Sequence, residues 1–159
     1  MKHRVFLSLG SNLGDKQKNI EDAYDKIEER IGTLVSVSAL YITHPHGFKS
    51  ENLFVNSACE VHTGLNAEQL LLETQHIEKE IGRTTKSVAG VYADRVMDID
   101  LLLIDNLIIN EPHLTIPHPH LHTRDFVLAP LDEIAPHIIH PVLGKTIRKL
   151  KHLLDKEME

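Results

Sequence analysis

The chain has 159 residues, long enough to bury a real core as one domain. Its 42% hydrophobic and 25% charged residues are ordinary for a soluble globular protein, while a net charge of -6 and a pI near 6.0 argue against a nucleic-acid-binding footprint. One cysteine, Cys59, excludes an internal disulfide and suits a reducing compartment. No window approaches a membrane span, and Met1-Lys2-His3-Arg4 leads straight into a strand, so a cytoplasmic chain is expected.

Taken in order, Arg4 to Leu9 alternates Val5, Leu7 and Leu9 against Phe6 and Ser8, which reads as a strand. Gly10 to Asp15 is a tight turn, and it lacks the Gly-Lys-Ser/Thr of a P-loop. Asp15 can cap a helix that carries Ile20, Ala23, Ile27 and Ile31 on one face and stops at Gly32. Thr33 to Thr43 is a second strand and Leu53 to Val61 a third; the run 44–52 between them exceeds a hairpin's needs, which hints at function. Asn66 with Gln69 forms a capping-box pattern opening a helix on Leu70, Leu71, Thr74, Ile77 and Ile81. Residues 83–94 have no apolar period and read as a mobile loop into a fourth strand, Val96 to Ile104. Asp105-Asn106 turns the chain into Leu107-Ile108-Ile109, a short hairpin. Thr123 is placed to cap a short helix on Phe126, Val127 and Leu131, and Thr146 to Lys156 is a last helix. No repeat or linker interrupts residues 1–159. The order strand, helix, strand, strand, helix, strand predicts an α+β protein with a ferredoxin-like sheet, a βαββαβ core, and an additional C-terminal hairpin and helices.

The stretch Arg95-Val96-Met97-Asp98-Ile99-Asp100-Leu101-Leu102-Leu103 carries the chemistry. On a strand, Asp98 and Asp100 share one face, while Met97, Ile99, Leu101 and Leu103 take the other. Two carboxylates side by side at the end of an apolar strand repel each other and lose water. A hard cation relieves both costs, and Mg²⁺ takes one or two carboxylates and completes its shell with water and phosphate oxygens. Arg95 suits a phosphate. Together with Arg83 and Arg124 it gives the arginine set of a polyphosphate clamp. The segment Pro117 to His122 holds three histidines but no cysteine or acidic partner at a helical or hairpin spacing, which disfavours zinc. Gly144-Lys145-Thr146 lacks the upstream glycine of a P-loop and reads as a helix start. A single-stranded RNA module shares the strand order, but the charge and the 4% aromatic content count against it. A histidine-rich metal-binding module is the other competitor.

Five segments occur in one order: Leu9-Gly10-Ser11-Asn12-Leu13-Gly14, Phe54-Val55-Asn56, Arg95 to Leu102, Leu114 to Pro119, and Arg124-Asp125-Phe126-Val127-Leu128-Ala129-Pro130-Leu131. With them the chain resembles the 6-hydroxymethyl-7,8-dihydropterin pyrophosphokinases of folate biosynthesis, up to about Pro141. The resemblance implies a monomer that transfers the β,γ-diphosphate of ATP to the pterin hydroxymethyl oxygen and releases AMP. It implies two Mg²⁺ ions on Asp98 and Asp100, with Arg83 and Arg95 as catalytic phosphate-holding arginines. It assigns Thr43, His46, Phe54, Asn56 and Phe126 to the pterin, and Glu78, Ile116, His118 and Arg124 to the nucleotide along with both arginines. The partners are then ATP and a reduced pterin, with no nucleic acid and no membrane. The chain departs from the family pattern at Tyr92-Ala93-Asp94, where Trp-Gly-Pro is usual, and at Thr85 and His113, which replace basic residues of some relatives.

Overall fold

The computed structural model describes residues 2–43, 53–82 and 95–158. The sheet is built from β1 (His3–Ser11), β2 (Thr33–Val37), β3 (Tyr41–Thr43), β4 (Phe54–Thr63) and β5 (Asp98–Ile104). Its order is β2-β4-β1-β5, with β3 also paired to β4, and every pairing is antiparallel. The helices α1 (Lys16–Arg30) and α2 (Ala67–Gly82) supply the two crossovers of the βαββαβ plan. A separate hairpin, β6 (Ile109–Glu111) with β7 (Leu114–Ile116), then precedes α3 (Asp125–Ile134) and α4 (Ile147–Glu157). No helix among the described residues is long and apolar enough to cross a membrane.

Strand alternation sends side chains into two cores. Val5, Leu7, Leu9, Cys59, Val61, Ile99 and Leu101 pack with Ile20, Ala23 and Ile27 of α1 and Leu70, Ile77 and Ile81 of α2. Phe6, Ala58, Leu102 and Leu103 pack with Val127, Leu128 and Leu131 of α3 and Ile147 and Leu150 of α4. The expected caps of α1 and α2 form, and α4 has a cap of its own. Asp15 accepts from the Lys18 amide at 3.2 Å. Asn66 and Gln69 exchange two bonds of 2.9 Å. Thr146 accepts from the Lys149 amide at 3.1 Å. Each satisfies helical N–H groups that would otherwise lack partners. Gly32 is required by closeness rather than by helix ending alone: an added Cβ would lie 2.0 Å from the His62 carbonyl oxygen.

Four expectations need correction. The second strand breaks between β2 and β3. There the Ser38 hydroxyl accepts the Ala58 amide at 2.9 Å, and the Ala39 amide turns to the Glu133 carboxylate of α3 at 3.1 Å. A side chain thus takes over a ladder bond, and a helix carboxylate takes the next. Leu103 does not share the face of Leu101. The pairing runs Phe6 with Leu103 and then Leu7 with Leu101, so Leu102 is the extra residue of a β-bulge, and both Leu102 and Leu103 enter the second core. The hairpin lies at 109–116, with Ile108 exposed, because Asp105-Asn106 turns the chain away from β5 before pairing begins. Thr123 does not cap α3: the N-cap is Arg124 without a side-chain bond, and the Thr123 hydroxyl bonds the His120 carbonyl.

The connection into α4 contains an acid-sensitive joint. Buried His140 accepts the amides of Val142 and Leu143 on its Nδ1, at 3.2 and 3.1 Å. Burial, with His122 beside it, holds the imidazole below its usual pKa. The unfolded chain therefore takes up more protons below about pH 6.5, and this part of the stability falls as pH drops from there through the lowered folded value. His140→Asn keeps an acceptor that cannot be protonated. Thermal melts from pH 7.5 to 5 should show a shallower loss of Tm in that variant than in the unsubstituted chain. Equal slopes would remove His140 from the pH response.

Candidate active site

The sheet sets the geometry of the site through register. On the face toward α3, Tyr41, Asn56, Gly10 and Asp98 stand in one cross-strand row, and Ala58, Ser8 and Asp100 in the next. Asn56 and Asp98 are thus two strands apart, roughly 10 Å at the usual inter-strand spacing. Gly10 and Ser8 form a low floor between them. A Cβ at Gly10 would sit 3.1 Å from Asn56 Oδ1 and 3.7 Å from the Phe54 ring, so the glycine keeps this floor open.

Over that floor lies a cleft of about 800 Å³. One end is lined by Thr43, Phe54, Asn56 and Phe126. Asn56 is only 3% exposed and donates from Nδ2 to Thr43 Oγ1 at 2.7 Å, which fixes the amide before any ligand arrives. The middle holds Arg95, Asp98, Asp100, His118 and Arg124. Arg95 Nη1 lies 3.7 Å from Asp98 Oδ1, and the Arg124 guanidinium sits over the Phe126 ring at 5.6 Å. The far end is walled by α2, through Leu71, Thr74, Gln75 and Glu78, and by the β6–β7 hairpin, through Pro112 to Thr115.

Three titratable groups lining the cleft are displaced from their usual ranges. Burial, reinforced by the charge of Asp98, pushes the Asp100 carboxyl up, against Arg124 and Arg95. Burial also raises Glu78, whose Oε2 accepts the Ile99 amide at 2.7 Å on the outer edge of β5. Burial, with Arg124 and His120 nearby, lowers His118 to about 4, so its ring is neutral at pH 7. His118 Nδ1 accepts the His120 amide at 3.1 Å, which leaves the proton on Nε2, 3.9 Å from Asp100 Oδ1. His118 therefore offers a neutral N–H donor beside a carboxylate pair whose charge is incompletely balanced.

The start of β5 is held by residues that sequence reasoning left without a role. The Arg95 amide donates to Asn12 Oδ1 at 2.6 Å, and the Asn12 amide donates to the Arg95 carbonyl at 2.9 Å. Asn19 of α1 donates to the Leu13 carbonyl at 2.9 Å and the Ser11 hydroxyl at 3.2 Å, bracing the same turn. Leu71, Thr74, Gln75 and Glu78 were legible as a helical stripe at i, i+3, i+4 and i+7, once Glu78 is taken as a site residue. Of the residues singled out from the sequence, Thr43, Phe54, Asn56, Glu78, Arg95, Asp98, Asp100, His118, Arg124 and Phe126 all line this cleft. Ile116 does not: its side chain is buried in the first core, and β7 lines the cleft through Leu114 and Thr115 instead. His46 and Arg83, with the departures at Thr85 and 92–94, lie outside the described residues.

Fold and cleft define an α+β protein of ferredoxin-like topology whose site sets an acidic pair among arginines, beside a cleft end lined by Phe54 and Phe126. A family model described as 7,8-dihydro-6-hydroxymethylpterin-pyrophosphokinase (HPPK) matches residues 6–136. The chain belongs to this family. It is 44% identical over 138 residues to the 2-amino-4-hydroxy-6-hydroxymethyldihydropteridine pyrophosphokinase of Porphyromonas gingivalis, covering 86% of this chain and 93% of that protein. The enzyme of that name from Aquifex aeolicus is 37% identical over 147 residues, covering 92% and 89%. The wild-type HPPK-DHPS crystal structure from Plasmodium falciparum superimposes with a TM-score of 0.79 at 17% identity; this chain spans only 46% of its length, and the likeness is one of fold.

Proposed function

We propose that the chain transfers the β,γ-diphosphate of ATP to the hydroxymethyl oxygen of 6-hydroxymethyl-7,8-dihydropterin and releases AMP, as a step of folate biosynthesis. The reading takes residues 1–159 as one pyrophosphokinase domain, acting as a cytoplasmic monomer. The observation that carries it is the placement of Asp98 and Asp100, with Arg95 and Arg124 beside them, between the cleft end lined by Phe54 and Phe126 and the end walled by α2 and the hairpin. The family match and the names of the relatives support the reaction type.

In this reading the ring stacks between Phe54 and Phe126, and Asn56, pre-set by Thr43, reads its polar edge. Arg95 and Arg124 neutralise phosphate charge, and Arg95 exchanges its pairing with Asp98 for one with the triphosphate. His118 donates its Nε2 proton in a hydrogen bond without adding a charge. The hydroxymethyl oxygen attacks the β-phosphorus and gives up its proton to solvent, the bond from that phosphorus to the α,β-bridging oxygen breaks, and the electron pair leaves with AMP. Such transfers depend on positioning and charge neutralisation more than on a dedicated base. Asp98 and Asp100 are the residues that would hold Mg²⁺, two ions in the full reading. The fit rests on hard oxygen donors on one strand face and on an Asp100 charge that burial and Asp98 leave under-compensated. When bound, the metal polarises phosphoryl oxygens and lowers the pKa of a bound hydroxyl.

Incubation with MgATP and the pterin should give AMP in step with pterin consumption. ADP as the nucleotide product, or ATP turnover independent of pterin, would overturn the proposal.

A further inference from the structure

The wall at the far end of the cleft is made by two elements of different attachment. Helix α2 is anchored in the first core along its length, through Leu70, Ile77 and Ile81. The β6–β7 hairpin is anchored through Leu114 and Ile116, but its tip at Pro112 and His113 stands clear of that core and lines the cleft. One side chain joins the tip to the helix. His113 Nε2 lies 2.9 Å from Glu68 Oε1, in the first turn of α2, and 3.4 Å from Glu111 Oε2 at the end of β6. Among the described residues this is the only convergence of three such groups with their ligand-type atoms within 4.8 Å of one another.

We propose that His113 is a positioning residue: its imidazolium, held between Glu68 and Glu111, clamps the hairpin tip against α2 and so sets the width of the cleft end that receives the nucleotide. The last clause rests on the proposed function; the clamp itself does not. The His113 ring nitrogen is engaged by two glutamates. The cation therefore acts on the wall of the cleft through its carboxylate partners. Charged neighbours are few. Helix α2 contributes Glu68, β6 contributes Glu111, and β7 carries no charged residue. Both carboxylates, Glu68 first, shift His113 above its usual pKa. The clamp is thus fully formed below about pH 6.5 and loosens as pH rises through the raised value. All three side chains are more than half exposed, so the effect is small, in the range of a surface ion pair.

Hydrogen exchange of the free protein in EDTA tests the clamp without any substrate. At pH 6, amides of residues 109–116 should exchange about 1.5- to 5-fold faster in Glu68→Gln than in the unsubstituted chain. At pH 8.5 the two should agree. His113→Arg, a cation at both pH values, should keep the slow exchange at pH 8.5. Amides of α1 and β1 report whether the fold is intact. Equal hairpin exchange at pH 6, or an undiminished difference at pH 8.5, overturns the clamp. So does protection that appears only when EDTA is left out, since a bound cation would then hold the three groups. The link to the nucleotide is read separately: Glu68→Gln should raise KM for ATP by about the same factor at pH 6, with kcat and the KM for the pterin constant. A clamp seen by exchange with no change in KM for ATP overturns the cleft-width role alone. Failure to make AMP in the unsubstituted chain strikes the proposed function and leaves the exchange result standing.

Discussion

Asp100→Asn, and separately Asp98→Asn, should lower single-turnover AMP formation by about a hundred- to a thousandfold, the loss of roughly 2.7–4 kcal/mol that follows removal of a comparable electrostatic group. The fold should survive. Asp100 is a poor residue for stability, because burial and the adjacent Asp98 charge push its carboxyl up. The folded state therefore holds its proton more tightly than the unfolded one, and stability is lost as pH rises above about 4 toward the raised value. In metal-free buffer the Asp100→Asn variant should melt higher than the unsubstituted chain at pH 7.5, and the difference should close as pH falls to 4. A gain of 1 kcal/mol would appear as about 2–4 °C in a chain of this size. Near-normal turnover with an unchanged Mg²⁺ titration in either variant would take that aspartate out of the site.

The second large effect concerns the ring slot. Phe126→Ala should weaken pterin binding by roughly 30- to 150-fold. That is about 0.5–1.5 kcal/mol for a lost stack, with about 1.5 kcal/mol for some 60 Å² of apolar contact at 25 cal/mol/Å². Affinity for an inert ATP analogue should change far less, since the α2 and hairpin walls of the cleft are untouched. Phe126 also packs against the second core, so the variant will lose some stability. Calorimetric titration of each ligand below the melting range separates the two effects. Equal weakening toward pterin and ATP analogue would make Phe126 a core residue and nothing more.

Much of this site could be read in the sequence because its chemistry is local. Asp98 and Asp100 share a face by the period of a strand, and the capping box at Asn66 fixes where α2 begins and hence which way Glu78 turns. The phase of β2 and β3 was harder. Nothing in Val37-Ser38-Ala39-Leu40 announces that a hydroxyl will take the Ala58 amide, because that partner is 20 residues away. The bulge at Leu102 was hidden for a different reason: four successive apolar residues, Leu101 to Ile104, show no alternation from which to detect an extra one. Asn12 and Asn19 are polar residues near a turn, and only the topology that brings residue 95 alongside residue 12 gives them a task.

That bulge has a consequence for how the strand could have arisen. Ile104 points into the layer of α1 and α2. In an unbroken strand residues 102, 100 and 98 would follow it there, and both aspartates would enter the hydrocarbon interior beside Leu7 and Leu9. The single extra residue puts the two halves of β5 out of phase. The anchoring half keeps its hydrophobic phase, and the acidic half is turned outward to the cleft. The facing of both aspartates thus depends on the bulge that absorbs Leu102. Deleting Leu102 would leave a regular ladder with both aspartates still on the cleft face; ironing out the bulge with Leu102 kept in the strand would exchange the reactive face for the core.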